Sequence, residues 1–216
     1  MVNKRYTFIY LLLAFIPIIY LVIIFKSIPD IVPTSFDGNG IVTEMGSKWT
    51  LAILPVTGAF TALIGLFIPF FTKLAKKRED KSLNIIAKFY IAVLVLMDLV
   101  SISIIYEAVN YVDGKPSSIG ILFCYAFNLF FIIMGFFLPK IPPNAIIGFR
   151  IPFTLMDSEN WIKTHILAGK LFSLAGIIGL VIAFVTSGNM LVSFIPILTV
   201  TFLTIIYSAI LFYSKK

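Results

Sequence analysis

Residues 118–139 have the sequence SIGILFCYAFNLFFIIMGFFLP and contain no charged side chain. A helix needs about 20 apolar residues to cross a hydrocarbon core of about 30 Å. This segment is therefore long and apolar enough to span a membrane. Five further segments qualify on the same grounds, at residues 6–25, 49–72, 85–106, 164–186 and 190–213.

The composition of the whole chain agrees with this interpretation. Apolar residues make up 60% of its 216 residues and charged residues 12%, whereas soluble domains carry about 25% charged residues. The apolar segments lack the two-residue alternation of a membrane β-barrel. The sequence therefore predicts an all-α fold, a polytopic membrane helix bundle with about six transmembrane helices.

The basic residues predict how the bundle is oriented. The N-terminus, the 73–84 loop, the 140–163 loop and the C-terminus carry 12 Lys and Arg, and the opposite loops carry three. Because basic loops stay in the cytoplasm, both termini are predicted to be cytoplasmic. The net charge of +7 then reflects topology and contact with membrane lipid, and no direct nucleic-acid binding is expected.

Two modules are predicted along the chain. The first covers residues 1–72 and holds two spans joined by an extracellular loop at 26–48. The second covers residues 73–216 and holds four spans with a cytoplasmic loop at 140–163. Small residues recur every four positions in the fifth span, at Ala175, Gly179 and Ala183, a spacing that favours close helix packing within the chain over dimerisation.

The cytoplasmic loop presents an arginine in an unusual setting. Gly148 permits backbone angles that other residues avoid, and Pro152 restricts its own backbone and that of Ile151. Arg150 therefore lies in a stiffened turn near the membrane. Its guanidinium either anchors the loop by binding backbone carbonyls or lipid phosphate, or contacts a partner or ligand.

A helix is predicted to begin shortly after this turn. Thr154 has the position of an N-cap and Asp157 that of the capping-box acid. The helix would continue through Trp161 and His165, which share a face with Thr164 and Ala168. Trp161 fits an interfacial anchor. His165 is the only His in the chain and fits a structural hydrogen-bonding role better than a metal or catalytic one.

Asp98 lies deep in the third span, about 20 Å from its cytoplasmic end at ~1.5 Å per residue. A carboxyl group at that depth is costly unless it is paired, neutralised or hydrated. Asn128 and Thr57 are predicted at a similar depth, so the three side chains are expected to form an intramembrane polar layer. The layer serves either packing or a proton relay or ligand-sensitive switch.

The stretch from Pro142 to Lys170 resembles the signature of the SdpI family of bacterial membrane proteins. That signature has roughly the pattern P-N-x-x-x-G-x-R-x-P-x-T-L, then W-x-x-T-H and a final G-K. The matching residues are Pro143, Asn144, Gly148, Arg150, Pro152, Thr154, Leu155, Trp161, Thr164, His165, Gly169 and Lys170. By this resemblance the partner or ligand contacts are Asn144, Gly148, Arg150, Pro152, Thr154, Trp161 and His165.

The first module resembles a small domain of unknown function that often precedes the SdpI signature. The stretch from Ile28 to Phe36 follows its pattern L-P-D-x-I-P-x-H-F, except that Ser35 stands where the pattern has His. Any proton or metal role of that His is therefore in question here. The extracellular-loop residues singled out by the resemblance are Pro29, Pro33, Phe36, Gly40, Ser47 and Lys48.

The function expected from the resemblance is immunity. SdpI-type proteins protect the bacterial cell against a secreted antimicrobial peptide, and they signal its arrival by holding a small DNA-binding repressor at the membrane. The toxin would meet this chain outside and the repressor would meet it inside, at the bacterial cell membrane. The sequence leaves the oligomeric state open.

An enzyme is not expected, because no nucleophile–base pair, paired carboxylates, phosphate-binding loop or metal cluster is visible in the sequence. No cofactor and no metal are expected either. The alternative function from another class is a small proton-coupled transporter or exporter that uses Asp98.

Overall fold

The fold was analysed in a computed structural model that describes residues 4–37, 41–74, 80–112, 118–144 and 147–215. These described residues form six long α-helices and one short one. They are α1 (Lys4–Ile24), α2 (Ile53–Leu74), α3 (Asp80–Asn110), α4 (Ile119–Phe137), α5 (Pro152–Met156), α6 (Ser158–Val185) and α7 (Met190–Tyr213). All six long helices contain segments long and apolar enough to cross a membrane, which confirms the predicted helix bundle.

The start of α6 differs from the prediction. The helix begins at Ser158, four residues after the predicted N-cap Thr154, because the Asp157 carboxylate caps it by accepting a hydrogen bond of 2.8 Å from the Glu159 backbone N–H. Asp157 is therefore the N-cap itself and not the capping-box acid. The predicted N-cap role of Thr154 is wrong, since this residue lies inside α5. At about 1.5 Å per residue, the 28 residues of α6 extend over about 42 Å, so α6 is longer than the hydrocarbon core.

An antiparallel β-hairpin between α1 and α2 was not predicted. Strands β1 (Ile31–Phe36) and β2 (Val42–Ser47) pair with each other. The β-branched and aromatic residues of β1 favour extended backbone, but the run is short and contains Pro33, which obscures the signal. A 3₁₀ helix, Lys48–Ala52, leads from β2 into α2.

The long helices pack in two groups of three. In the first group, α1, α2 and α3 share a buried cluster formed by Tyr10, Ala14, Ala62 and Leu94. In the second group, α4, α6 and α7 share another that includes Leu138, Ala168, Phe172, Ala175 and Ile197. Helix α3 packs against α4 as well as against α1 and α2, so the predicted module boundary at 72/73 stays a prediction.

Helices α4 and α6 approach each other very closely. A Cβ atom added to Gly169 would lie 2.7 Å from the carbonyl oxygen of Gly135 on α4, so no larger side chain fits without a shift of the backbone. The predicted small residues Ala175, Gly179 and Ala183 are all buried within the chain. Their spacing therefore serves packing inside this molecule, as the sequence indicates.

Candidate functional site

The connection between α4 and α6, residues 141–157, is tied to the start of α6 by side chains. We call it the inner loop, after the orientation predicted from the sequence. Trp161 donates from Nε1 to the carbonyl of Ile141 at 3.0 Å. Asn144 donates to the carbonyls of Pro142 (2.8 Å) and Ile147 (2.9 Å) and accepts from the Ile147 N–H (2.8 Å). These bonds give the loop one defined path over α6.

Gly148 allows the loop to lie directly on α6. Its φ of +129° belongs to the region that side-chain-bearing residues avoid. An added Cβ would lie 2.6 Å from Nε2 of His165 and 2.8 Å from the Trp161 ring. Those two rings stack at 4.1 Å with an interplanar angle of 15°. A glycine is therefore required here by both backbone angle and space.

His165 connects the helix to the loop through both ring nitrogens. Nε2 accepts a hydrogen bond of 2.9 Å from the Phe149 N–H, and Nδ1 lies 2.8 Å from the Trp161 carbonyl. Because an N–H can donate only to an unprotonated nitrogen, the proton is assigned to Nδ1 and the ring is neutral. With both nitrogens occupied, His165 has a structural role in this conformation.

Thr154 closes the turn that carries Arg150. Its hydroxyl donates to the carbonyl of Phe149 at 2.8 Å and accepts from the N–H of Ile151 at 3.2 Å. The side chain is buried. Pro152 supplies the first residue of α5, where its fixed φ suits the helix and its missing N–H is not needed. The residues on both sides of Arg150 are thus held in place.

Arg150 itself is exposed. Within the described part of the chain its guanidinium makes no hydrogen bond or ion pair. The hypothesis that Arg150 anchors the loop by binding backbone carbonyls is therefore wrong, because Asn144, Thr154, Trp161 and His165 hold the loop instead. A contact with lipid phosphate or with a partner stays a prediction.

The predicted role of Trp161 as an interfacial anchor is also wrong. The side chain is only 1% exposed and is enclosed by the loop and its own helix. Trp161, Thr164, His165 and Ala168 do lie on one face of α6, and all four are buried. That face meets the protein interior.

A polar cluster between α6 and α7 was not predicted from the sequence. Asn160 donates to the carbonyl of Ser208 at 2.8 Å and accepts from the hydroxyls of Ser208 (2.6 Å) and Thr164 (2.9 Å). All three side chains are buried, and their hydrogen bonds are satisfied locally. The signal available in the sequence was the helical spacing of Asn160 and Thr164 on the face that also carries His165.

Lys215, two residues after the end of α7, pairs with two carboxylates at the start of α6. We call these contacts the clasp. Lys215 lies 2.6 Å from Oδ2 of Asp157 and 2.7 Å from Oε2 of Glu159. The hydrogen bond from Lys215, followed by the backbone hydrogen bonds at the helix cap, holds the pKa of Asp157 below its usual value. The same contacts raise the pKa of Lys215. Both groups are at the surface, so the clasp contributes little to stability.

The predicted polar layer is not formed as one network. Asp98 is 7% exposed, and its Oδ2 atom has no hydrogen-bond partner in the described part of the chain. Asn128 donates to the Cys124 carbonyl at 2.8 Å and faces Gly179 on α6. Thr57 is exposed and donates to its own helix, at the Ile53 carbonyl (2.7 Å). The three side chains therefore lie in three separate environments.

The hairpin region holds most of the residues predicted for the extracellular loop. Pro33 is buried in β1, and Phe36 is half-buried at its end. Ser47 caps the 3₁₀ helix. Lys48 forms an ion pair of 2.9 Å with Asp30. Pro29 is exposed before β1, and Gly40 lies outside the described residues.

Ser35 has a partner of its own at the position where the resembling domain has His. Its hydroxyl donates to Oε2 of Glu44 at 2.9 Å across the hairpin. In the described ranges no group of three His, Cys, Asp or Glu side chains could hold a metal ion. The position therefore serves strand pairing in this chain.

The comparisons with known proteins agree with the two resemblances. Residues 140–208 match the SdpI/YfhL protein family, and residues 12–59 match the domain of unknown function DUF1648. The chain is 24% identical over 196 residues to the Immunity protein SdpI of Bacillus subtilis (strain 168), a match that covers 90% of this chain and 89% of that protein. No solved structure matches the chain.

The order of the two matches, DUF1648 before SdpI, is the order expected from the sequence. The six long apolar helices and this relationship make the chain a multi-pass bacterial membrane protein. Residues 140–208 are thus similar to the SdpI/YfhL protein family, and residues 12–59 are similar to DUF1648.

Proposed function

We propose that this chain is a membrane immunity protein that protects the cell against an extracellular antimicrobial peptide and signals through the inner loop. The observation that carries the proposal is Arg150, an exposed cation on a turn whose neighbours are fixed by hydrogen bonds. The relationship to the Immunity protein SdpI over 90% of the chain supports it. Catalysis has no part in the proposal.

Two exposed apolar side chains follow Arg150 closely in the chain. Leu155 is 52% exposed and Met156 is 73% exposed, both on α5, which follows the arginine directly. We call Arg150, Leu155 and Met156 the Arg150 patch. A guanidinium fork beside apolar side chains is suited to bind a carboxylate at the edge of an apolar contact. The partner in this proposal is a small DNA-binding repressor held at the membrane.

The proposal requires the inner loop to lie in the cytoplasm. The bias of 12 to three in Lys and Arg supports that orientation. Fusions of a reporter that is active only outside the cell should be active after about residues 35, 112 and 188, and inactive near Ser158. An active fusion near Ser158 would exclude docking of a cytoplasmic repressor at the Arg150 patch.

The decisive experiment compares Arg150→Lys and Arg150→Ala with the parent chain. Lys keeps the charge and loses the planar fork, so Arg150→Lys should insert normally and still reduce protection or signalling. Lys163→Ala is the matched control, because Lys163 is a cation near the same loop that is paired with Glu159 at 2.7 Å. Survival of a toxin-sensitive host and membrane abundance are measured together. Full protection by both Arg150 variants would leave Arg150 only a lipid contact.

A second candidate function, a proton-coupled transporter, rests on Asp98. Its buried carboxyl oxygen has no partner among the described residues, and an unpaired carboxyl in a membrane span is typical of proton-coupled sites. Asp98→Asn keeps the shape and removes the titrating proton. The variant should still protect if the chain is an immunity protein. A well-inserted but inactive Asp98→Asn would favour the transporter.

A further inference from the structure

A cavity of about 300 Å³ lies beneath the hairpin, between β1, the 3₁₀ helix, α2 and α3. Its wall is mostly apolar and carries hydroxyl groups from three separate elements. The lining residues are Pro33, Thr34, Phe36, Thr50, Leu51, Ile53, Leu54, Ser101 and Ile104. This volume is at the lower end of small-ligand pockets, and none of the residues is used by the proposed signalling surface.

Asp98 does not line the cavity but lies one helical turn from two of its lining residues. Ser101 lies one turn beyond Asp98 on α3, and Leu54 lies one turn before Gly58 on α2. Gly58 and Asp98 face each other, because a Cβ added to Gly58 would lie 3.9 Å from Oδ1 of Asp98. Since α2 and α3 are antiparallel neighbours, one turn deeper on both cavity walls leads to the Asp98 carboxyl.

The path is closed on the far side of Asp98. One further turn along each helix brings Leu94 on α3 and Ala62 on α2, and each is only 1% exposed. Both belong to the buried cluster that also contains Tyr10 and Ala14. The side of Asp98 away from the hairpin is therefore packed with apolar side chains, whereas the cavity lies one turn away on the hairpin side.

The chemistry of the site selects the ligand. Asp98 is buried, with 7% of its surface exposed, and its Oδ2 atom accepts no hydrogen bond from the described residues. A single carboxylate in apolar surroundings matches one positive charge, and the described residues include no cluster of three acidic, His or Cys side chains for a metal ion. An ammonium group with an apolar body matches both the charge and the wall.

The approach to the cavity is acidic. On the hairpin side, described residues 26–37, 41–52 and 107–112 carry four acidic side chains and two basic ones, in a chain whose net charge is +7. The acidic residues are Asp30, Asp37, Glu44 and Glu107. Such a surface attracts cations toward the mouth of the cavity.

We propose that the cavity and the Asp98 carboxylate form a one-sided binding site for a primary ammonium group on an apolar body, supplied by a lysine side chain or the amino terminus of a peptide. Because protection is expected to survive Asp98→Asn, the ligand is assigned by its chemistry alone and is not identified with the toxin of the proposed function. The site itself rests only on the cavity, the unpartnered carboxyl and the closed far side.

The test measures access to the site without any toxin. Ser101→Cys is made in a Cys124→Ser background, purified and reconstituted in vesicles, and treated from the hairpin side with a cationic or an anionic thiosulfonate reagent. Each rate is divided by the rate at Met45→Cys, an exposed hairpin position. After this correction, the cationic reagent should react about tenfold faster than the anionic one, because negative charge concentrates cations at the site. Added n-butylammonium should slow the reaction of the cationic reagent.

Two controls separate the site from general exposure. Ser103→Cys lies on the same helix at nearly the same depth, on a different face, and should react slowly with both reagents. Asp98→Asn should bring the ratio of cationic to anionic rates at Ser101→Cys close to one. Absence of reaction at Ser101→Cys, reaction only from the opposite side, or a charge preference that survives Asp98→Asn would each overturn the proposal.

The outcome is independent of the proposed function. A chain that shows the charge preference but does not protect a sensitive host has the ammonium site and lacks the immunity function. A chain that protects the host but shows no charge preference has the immunity function without this site.

Discussion

The inner loop and the β1–β2 hairpin differ in how the polar groups near them are paired. Around the inner loop, the buried polar side chains of Thr154, Asn160, Thr164 and His165 all have hydrogen-bond partners. Beneath the hairpin there is a cavity, and the carboxyl one turn below it has an oxygen atom without a partner among the described residues. A satisfied network is rigid and specific, whereas an unsatisfied group is available to a ligand. The comparison suggests that one region presents a fixed surface and the other receives a ligand.

The largest effect is expected for Gly148→Ala, which disturbs the packing of the inner loop on α6. The methyl group would enter a backbone region that costs about 1–3 kcal/mol for side-chain-bearing residues and would lie 2.6 Å from Nε2 of His165. We expect a loss of about 3 kcal/mol or more in the free energy of unfolding, measured by denaturation in detergent. The control is Gly120→Ala, whose Cβ would lie 3.8 Å from Met190. Equal stability of the two variants would show that the inner loop is not tightly packed.

The next effect is expected for His165→Phe. A phenyl ring keeps the stacking on Trp161 but offers no acceptor to the Phe149 N–H. Loss of one partner of a buried hydrogen bond costs about 1–3 kcal/mol. Limited proteolysis should therefore cut the inner loop faster, while cleavage in the hairpin stays at the parent rate. Faster cleavage in both regions would mean that the two are coupled.

A smaller effect of opposite sign is expected for Asp98→Leu in the region beneath the hairpin. The sequence alone predicts a loss of folded protein, because Asn128 or Thr57 would lose a partner. Neither side chain bonds Asp98 in the structure, so the substitution removes only an unsatisfied polar group. The free energy of unfolding should stay the same or rise by about 1–2 kcal/mol. A clear decrease would reveal a bond to Asp98 that the fold requires.

The smallest effect concerns the clasp at the edge of the rigid region. Because the pKa of folded Asp157 is lowered, its contribution is present above about pH 4 and is lost as the pH falls through that lowered value. Lys215→Ala removes the hydrogen bond that contributes most to the lowered pKa of Asp157. In a carboxyl-carbon NMR titration, the pKa of Asp157 should therefore move up toward its usual value. Lys163→Ala should leave it unchanged, since Lys163 pairs with Glu159. An unchanged pKa in Lys215→Ala would show that the cap hydrogen bonds alone set it.

The sequence predicts the six spans well because each is a long apolar segment, a property that does not depend on tertiary contacts. The hairpin was missed because its strands, IVPTSF and VTEMGS, do not alternate between apolar and polar residues. The contacts of α3 with α1, α2 and α4 could not be predicted, because apolar segments give no information on which helices are neighbours.

At the site, residue types were predicted better than their roles. The pattern around Gly148, Arg150 and His165 correctly indicates the inner loop as an ordered segment. The sequence offered Arg150 as a residue that anchors the loop, whereas hydrogen bonds of Asn144, Thr154, Trp161 and His165 hold it. Which polar groups pair depends on distances across the fold, and periodicity cannot supply these. Asn160 and Ser208, for example, are 48 positions apart in the chain and bond each other directly.

The state of His165 makes this residue a chemical indicator of the inner loop. It is the only His in the chain, it is 1% exposed, and both ring nitrogens are engaged. An acylating reagent such as diethyl pyrocarbonate needs a free imidazole nitrogen, so the folded chain should resist modification at this position. The fraction of acylated imidazole, determined by peptide mass spectrometry, would then report in intact membranes how often the loop detaches from α6.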